Sequence, residues 1–204
     1  KPVCEDNGFV NPKYFLNVLS ETRTSDVYLS TEVGQNQIWC ANNFNFKTPR
    51  SLLTSGGFGT MGYGLPAAIG ASVAANGSKP VIAVMGDGSF QMDLPEMGTM
   101  AQWDIPVKMV LFQNHRLGMV HEHQYLLYKS NYQAVEIEGK PDFAMLAKGY
   151  GFESGIANEN SEVSEAIDKM MAHDGSYLLI VNVNPFEPTG DALNEATLPK
   201  KEDK

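Results

Sequence analysis

Asp87 stands between two glycines in Gly86-Asp87-Gly88-Ser89, and a second oxygen-bearing side chain, Asn114, follows in Gln113-Asn114. A carboxylate and an amide carbonyl are hard oxygen donors of the kind Mg²⁺ takes, and Mg²⁺ usually completes its near-octahedral shell with phosphate oxygens and water. A main-chain carbonyl just beyond Asn114 can supply a third protein oxygen. Gly86 and Gly88 let the chain turn tightly and present bare amides, while the Ser89 hydroxyl adds a donor beside a helix start. The set reads as a place for a diphosphate held through a metal ion, without lysine. No Gly-x-x-x-x-Gly-Lys-Ser/Thr loop competes with it.

A second glycine run, Gly57-x-Gly59-x-x-Gly62, follows a strand-like segment and opens a helical one. Its spacing satisfies a dinucleotide fingerprint, so an NAD-binding dehydrogenase domain is the competing reading. Pro66 counts against it, because it is expected to delay the helix and draw the N-terminus away from a pyrophosphate. Asp87 counts against it too, since a carboxylate that binds ribose has no need of glycines on both sides.

Either chemistry needs a scaffold that gathers strand ends. Apolar and β-branched runs predict strands over 26–30, 51–54, 81–85, 107–112 and 177–183. Helical spacing is found from Pro12 onward and over 64–75, 94–102, 117–128, 143–150 and 162–172. Strands alternating with helices imply right-handed βαβ units, hence an α/β fold: a parallel sheet with helices on both faces. The continuously apolar run from Val81 to Met85 suits a strand buried on both sides. Segments 55–62, 86–89 and 113–118 all follow predicted strands, so they should share the carboxyl edge where such sheets bind ligands.

With 204 residues, the chain has room for one sizeable domain. That domain is expected over 11–185, with 1–10 as a linker or remnant of upstream chain and 186–204 as a tail. The sequence opens at Lys1 and reads like the middle of a longer polypeptide. It is 43% hydrophobic and 19% charged, and no apolar run approaches the roughly 20 residues of a membrane span. A net charge of −9 would repel a nucleic-acid backbone. Cys4 and Cys40 make no disulfide framework and no signal peptide is visible, which points to the cytoplasm.

Gly86-Asp87-Gly88 with Gln113-Asn114 resembles the signature of thiamine-diphosphate enzymes, Gly-Asp-Gly followed further along by Asn-Asn, with Gln113 in place of the first Asn. Three flanking segments resemble the catalytic subunit of the acetolactate synthase family: Val33 to Trp39, Thr54 to Gly70 and Leu117 to Val120. The likeness runs from about residue 10 to 195. It implies the thiamine-diphosphate-binding fold of the family's pyrophosphate domain, with thiamine diphosphate and Mg²⁺ as cofactors.

By this resemblance Asp87, Asn114 and the main-chain oxygen of Arg116 hold Mg²⁺. Gln35, Asn36, Gly86, Gly88, Ser89, Gly118 and Met119 line the diphosphate. Gly59 bonds the aminopyrimidine through its carbonyl, and Met61 wedges beneath the bent cofactor. No catalytic residue is expected in this chain, because the family's glutamate lies on an N-terminal pyrimidine-binding domain of a partner subunit. The implied reaction decarboxylates pyruvate and joins it to a second 2-oxo acid, in branched-chain amino acid biosynthesis. The implied assembly is a homodimer or higher homo-oligomer, with a regulatory subunit as a further partner. FAD belongs to a middle domain of the whole enzyme and not to this one. Another thiamine-diphosphate-dependent decarboxylase or carboligase of 2-oxo acids is the alternative within the family.

Two positions depart from the family's usual residues. Asn36 stands where His is frequent, and His123 where many members carry a Trp linked to the choice of second substrate. His121 and His123 are two apart on a helix and point to different sides, so they are expected to be solvated polar residues and not a metal pair. Met97, Met100, Met109, Met170 and Met171 are expected to fill the core.

Overall fold

The computed structural model of the chain describes residues 8–21, 26–137, 139 and 141–190. The first half runs α1 (Pro12–Glu21), β1 (Tyr28–Thr31), α2 (Gln35–Asn43), β2 (Leu52–Thr54), α3 (Gly64–Ala75), β3 (Val81–Gly86), α4 (Asp87–Asp93) and α5 (Glu96–Trp103). The second half runs β4 (Lys108–Gln113), α6 (Gly118–Leu127), α7 (Phe143–Gly149), β5 (Glu153–Ala157), α8 (Val163–Ala172) and β6 (Tyr177–Asn182). All six strands are parallel and lie in the order β2-β1-β3-β4-β6-β5.

Period-two alternation divides the core between the two faces of this sheet. Ile82, Val84, Val110, Phe112, Leu179 and Val181 pack with Phe15, Trp39 and Ile167, beneath α1, α2 and α8. Their sequence neighbours Ala83, Met85, Met109, Leu111, Leu178 and Ile180 pack with Leu65, Phe90, Met97 and Phe143, beneath α3, α4, α5 and α7. Both faces are covered, which is why the central strands are apolar throughout. Met97, Met100, Met109 and Met170 are buried, and Met171 packs against the first cluster.

The chain leaves β1 over one face, through α2, and leaves β3 over the other, through α4 and α5. The gap between the carboxyl ends of β1 and β3 is therefore a topological switch point.

Five predicted strands form, each within two residues of its expected ends. Three elements went unpredicted: α2, α4 and the edge strand β5. Helix α3 begins at Gly64, so Pro66 lies inside its first turn and does not delay it. A proline there gives up an N–H that has no intrahelical acceptor anyway.

The predicted linker and tail fall largely outside the described residues, as does Cys4. Where they are described, both ends are tied to the domain. Val10 donates to the Asn182 carbonyl at 2.9 Å, and Trp39 Nε1 donates to the Pro188 carbonyl at 3.1 Å. Cys40 is a free, buried thiol. No helix of the described residues is long and apolar enough to cross a membrane.

Candidate functional site

The ladder between β3 and β4 pairs Gly86 with Phe112, so the residues just past each strand are neighbours. Asp87 Oδ2 accepts the Asn114 amide at 3.1 Å and the His115 amide at 2.6 Å. These bonds fix the carboxylate against the next strand's end, where His115 takes a left-handed φ of 60°. Asn114 Oδ1 accepts the Arg116 amide at 3.2 Å, and Asn114 Nδ2 donates to Gln35 Oε1 at 3.3 Å. Burial raises the Asp87 carboxyl above its ordinary value, and the His115 and Asn114 amides offset only part of that rise.

These residues wall a cavity of about 110 Å³ at the switch point, lined among others by Gln35, Asn36, Met61, Gly86, Asp87, Gly88, Ser89, Asn114, Arg116, Gly118 and Met119. Helices α2 and α6 both begin on its wall, with Gln35 and Gly118 as their first residues, and neither start has a side-chain cap. The first turn of a helix leaves amides without intrahelical acceptors, and the helix dipole adds positive potential there. Two uncapped helix starts converging on one cavity offer an anion several aimed N–H groups. The amides of Gly88 and Ser89, at the start of α4, lie on the same wall.

Gly118 shows how tightly α6 approaches. A Cβ there would sit 2.7 Å from Asn114 Nδ2 and run into Gln35 Oε1. Gln35 is itself anchored, its Nε2 donating to Glu122 Oε2 at 2.8 Å and to the Glu187 carbonyl at 2.9 Å. Glu122 also accepts the Thr189 hydroxyl at 2.8 Å.

The donor set fits a hard divalent cation. Asp87 can bring a carboxylate, Asn114 an amide carbonyl and Arg116 a main-chain carbonyl, and all three residues line the cavity. Three such ligands leave room for phosphate oxygens. Among the described residues there is no cluster of three or more His, Cys, Asp or Glu that could hold a metal, so no metal site built from acidic or imidazole groups alone competes.

The expected site residues are brought together with one exception and two refinements. Gly59 is exposed, at a φ of 62°, and is not among the residues lining the cavity. Asn36 lines it, but its Nδ2 donates inward, to the Glu32 carbonyl at 2.8 Å and the Val84 carbonyl at 3.1 Å. The Ser89 hydroxyl bonds the amide and carbonyl of Gly86, both at 3.2 Å, so it closes its own turn.

His121 and His123 do point to different sides, but His121 is not solvated. It is 5% exposed, stacks on Tyr132 at 4.1 Å and bonds Arg116 Nη1 at 2.8 Å. Burial and then the Arg116 charge lower its pKa, which keeps the ring neutral. Trp39, Phe112, Glu32 and Glu122 also serve the site and went unread in the sequence. An apolar residue inside a helix or strand, or an acid beside a turn, carries no local sign of a ligand.

Residues 32–181 match the family model described as the thiamine pyrophosphate enzyme C-terminal TPP-binding domain. The large subunit of acetolactate synthase isozyme 2 from Escherichia coli K12 is 40% identical over 172 residues, covering 84% of this chain and 31% of that one. A probable acetolactate synthase large subunit from Methanococcus aeolicus is 45% identical over 157 residues, covering 77% of this chain and 26% of that one. Among solved structures, benzoylformate decarboxylase from Polynucleobacter necessarius superposes with a TM-score of 0.77 at 26% identity, over 86% of this chain and 33% of that one. The chain thus spans less than a third of the length of either acetolactate synthase relative.

Proposed function

Since the chain belongs to the thiamine pyrophosphate enzymes as their C-terminal TPP-binding domain, we propose that it anchors thiamine diphosphate through Mg²⁺ in an acetolactate synthase-like carboligase. The observation that carries this reading is the convergence of two uncapped helix starts and three oxygen donors, Asp87, Asn114 and the Arg116 carbonyl, on one cavity.

Asp87 and Asn114 give the cation two side-chain oxygens, and the Arg116 carbonyl gives a third. The amides at the starts of α2 and α6, with those of Gly88 and Ser89, take the diphosphate oxygens. A cation that arrives with the ligand reconciles anion binding with a chain of net charge −9. Met61, at the cavity wall, props the ligand's remaining length, and the Gly59 carbonyl, outside the cavity lining, is assigned to the aminopyrimidine by the family resemblance alone. When bound, thiamine diphosphate supplies the electron sink for decarboxylating a 2-oxo acid such as pyruvate and passing the fragment to a second one. The domain's own part is to bind, orient and shape.

The remaining parts of the proposal concern the whole enzyme. They are a glutamate on the pyrimidine-binding domain of a partner subunit, assembly as a homodimer or larger, a regulatory subunit, FAD held elsewhere, and a cytoplasmic role in branched-chain amino acid biosynthesis. The likeness to benzoylformate decarboxylase supports one second reading, a 2-oxo acid decarboxylase of the same cofactor class. The higher identity to the acetolactate synthases favours the carboligase.

Trp39 provides the test, because it lines the cavity. Titration with thiamine diphosphate should change Trp39 fluorescence when Mg²⁺ is present and leave it unchanged in EDTA, and NAD should have no effect. A response that ignores Mg²⁺, or a response to NAD, overturns the reading.

A further inference from the structure

Glu32 follows β1 and is completely buried, yet it is not a metal ligand in the site described above. Its carboxylate accepts the Gly62 amide at 3.1 Å, the Val33 amide at 3.3 Å and, through Oε1, the Gly64 amide. The turn that leads into α3 is thereby clamped from below. The approach is close enough to require glycine, since a Cβ on Gly64 would lie 2.7 Å from the Glu32 backbone nitrogen. Met61 sits immediately before the clamped amides and lines the cavity.

A second carboxyl is buried against the same turn. Asp93, the last residue of α4, is 1% exposed; neither of its oxygens makes a well-formed hydrogen bond among the described residues, and the Glu32 carboxyl and the Leu65 amide lie beside it. A Cβ on Gly62 would come within 3.8 Å of Asp93 Oδ1, so the two acids flank one turn. An ionised carboxylate without a partner is too costly to keep in such a place, and two adjacent ones are costlier still. Three amides point at Glu32 and stabilise a charge there. Asp93 has no comparable donors, so the proton belongs on Asp93.

We propose that Glu32 and Asp93 are a positioning pair in which one proton, carried by Asp93, lets ionised Glu32 clamp the Gly62 and Gly64 amides and so hold Met61 at the cavity wall. The pair rests on the cofactor reading only for what Met61 would touch. Burial first, and then the charge of Glu32, push the Asp93 carboxyl up to about 8, with Glu96 adding in the same direction and the Leu65 amide opposing. Loss of the proton above that pH places two negative charges under one turn, and the turn must move.

The test follows the Met61 methyl group by NMR in the full chain labelled with ¹³C-methyl methionine, its signal assigned with Met61→Leu. From mildly acid to mildly alkaline pH the signal should shift in one transition near pH 8. Asp93→Asn, which mimics the protonated acid, should keep the signal at its acid position throughout. Glu32→Gln, which removes the neighbouring charge, should move the transition to lower pH. Thermal unfolding gives a second readout. A carboxyl whose folded pKa is raised above its ordinary 3.8 contributes stability at low pH that is lost as pH rises toward about 8, and Asp93→Asn should abolish that part of the slope. A Met61 signal that does not titrate, or one that titrates unchanged in Asp93→Asn, overturns the pair. Because no cofactor is added, failure of the pair leaves the thiamine diphosphate reading standing. A chain that binds no cofactor leaves the Met61 titration standing.

Discussion

Asp87 has one task in the fold and a second in the proposed cofactor site, and a single substitution can separate them. Its Oδ2 satisfies the Asn114 and His115 amides, and its charge is what a divalent cation needs. Asp87→Ala removes both and leaves two amides without an acceptor, at about 1–3 kcal/mol for each buried group left unsatisfied. Asp87→Asn keeps an oxygen for those amides but removes the charge. Both variants should lose the Mg²⁺-dependent response to thiamine diphosphate in calorimetry, while urea unfolding should find Asp87→Ala the less stable of the two. Binding that survives in Asp87→Asn would discard the metal assignment. The sequence showed this residue clearly, because an acid between two glycines after an apolar run has few structural uses. Glu32 and Asp93 were invisible by comparison. Their roles depend on a turn from one end of α3 meeting the last residue of α4, and no short-range spacing encodes that meeting.

The elements fix where these residues can act. β3 and β4 are in register, so Asp87 and Asn114 meet, and α2 and α6 start where the strand ends leave a gap. Gly118→Ala probes that convergence. Its Cβ would displace Gln35 Oε1 and crowd Asn114 Nδ2, prising the start of α6 from the start of α2. The loss of one charge-assisted hydrogen bond, about 1.5–3 kcal/mol, should weaken thiamine diphosphate binding roughly 10- to 100-fold. The thermal unfolding midpoint should fall as well, because the hydrogen-bonded Gln35 and Asn114 must shift, so affinity is compared well below that midpoint. Wild-type affinity in this variant would show that the two helix starts do not act on one ligand.

Most of these elements were legible because the core strands are apolar, α1 and α8 carry an apolar face, and α3 is rich in alanine. The three that were missed have reasons. β5 opens on Glu153, Ser154 and Gly155 at the edge of the sheet, where one side needs no apolar cover. α2 is rich in Gln and Asn, and α4 starts on Asp87 and Gly88, which read as a turn. α2 and α4 both start at the ligand cavity, where residues are chosen for what they bind and not for helix propensity.

At the scale of the whole molecule the domain has a candidate cofactor cavity and exposed apolar side chains around it. Phe58, fully exposed, lies in the glycine-rich segment after β2, with Met92 and Val120 also well exposed. The acetolactate synthase relatives are more than three times as long as the matched segment, so the pieces that complete their reaction need not be within this chain. Among the described residues lining the cavity Asp87 is the one carboxyl, and the buried acids nearby, Glu32 and Asp93, are committed to the turn that carries Met61. Among the described residues lining the cavity, none offers a second carboxyl to exchange a proton with the pyrimidine end of a cofactor, a task the resemblance gives to a glutamate of another domain. The purified chain, supplied with pyruvate, Mg²⁺ and thiamine diphosphate, should therefore bind cofactor weakly and make no acetolactate in a colorimetric assay. Adding a separately produced N-terminal portion of the E. coli relative should tighten cofactor binding if these exposed side chains are where a second domain sits. Acetolactate from the chain alone would mean that the proton transfer is carried by residues within it, and Glu32 and Asp93 would be the first to mutate.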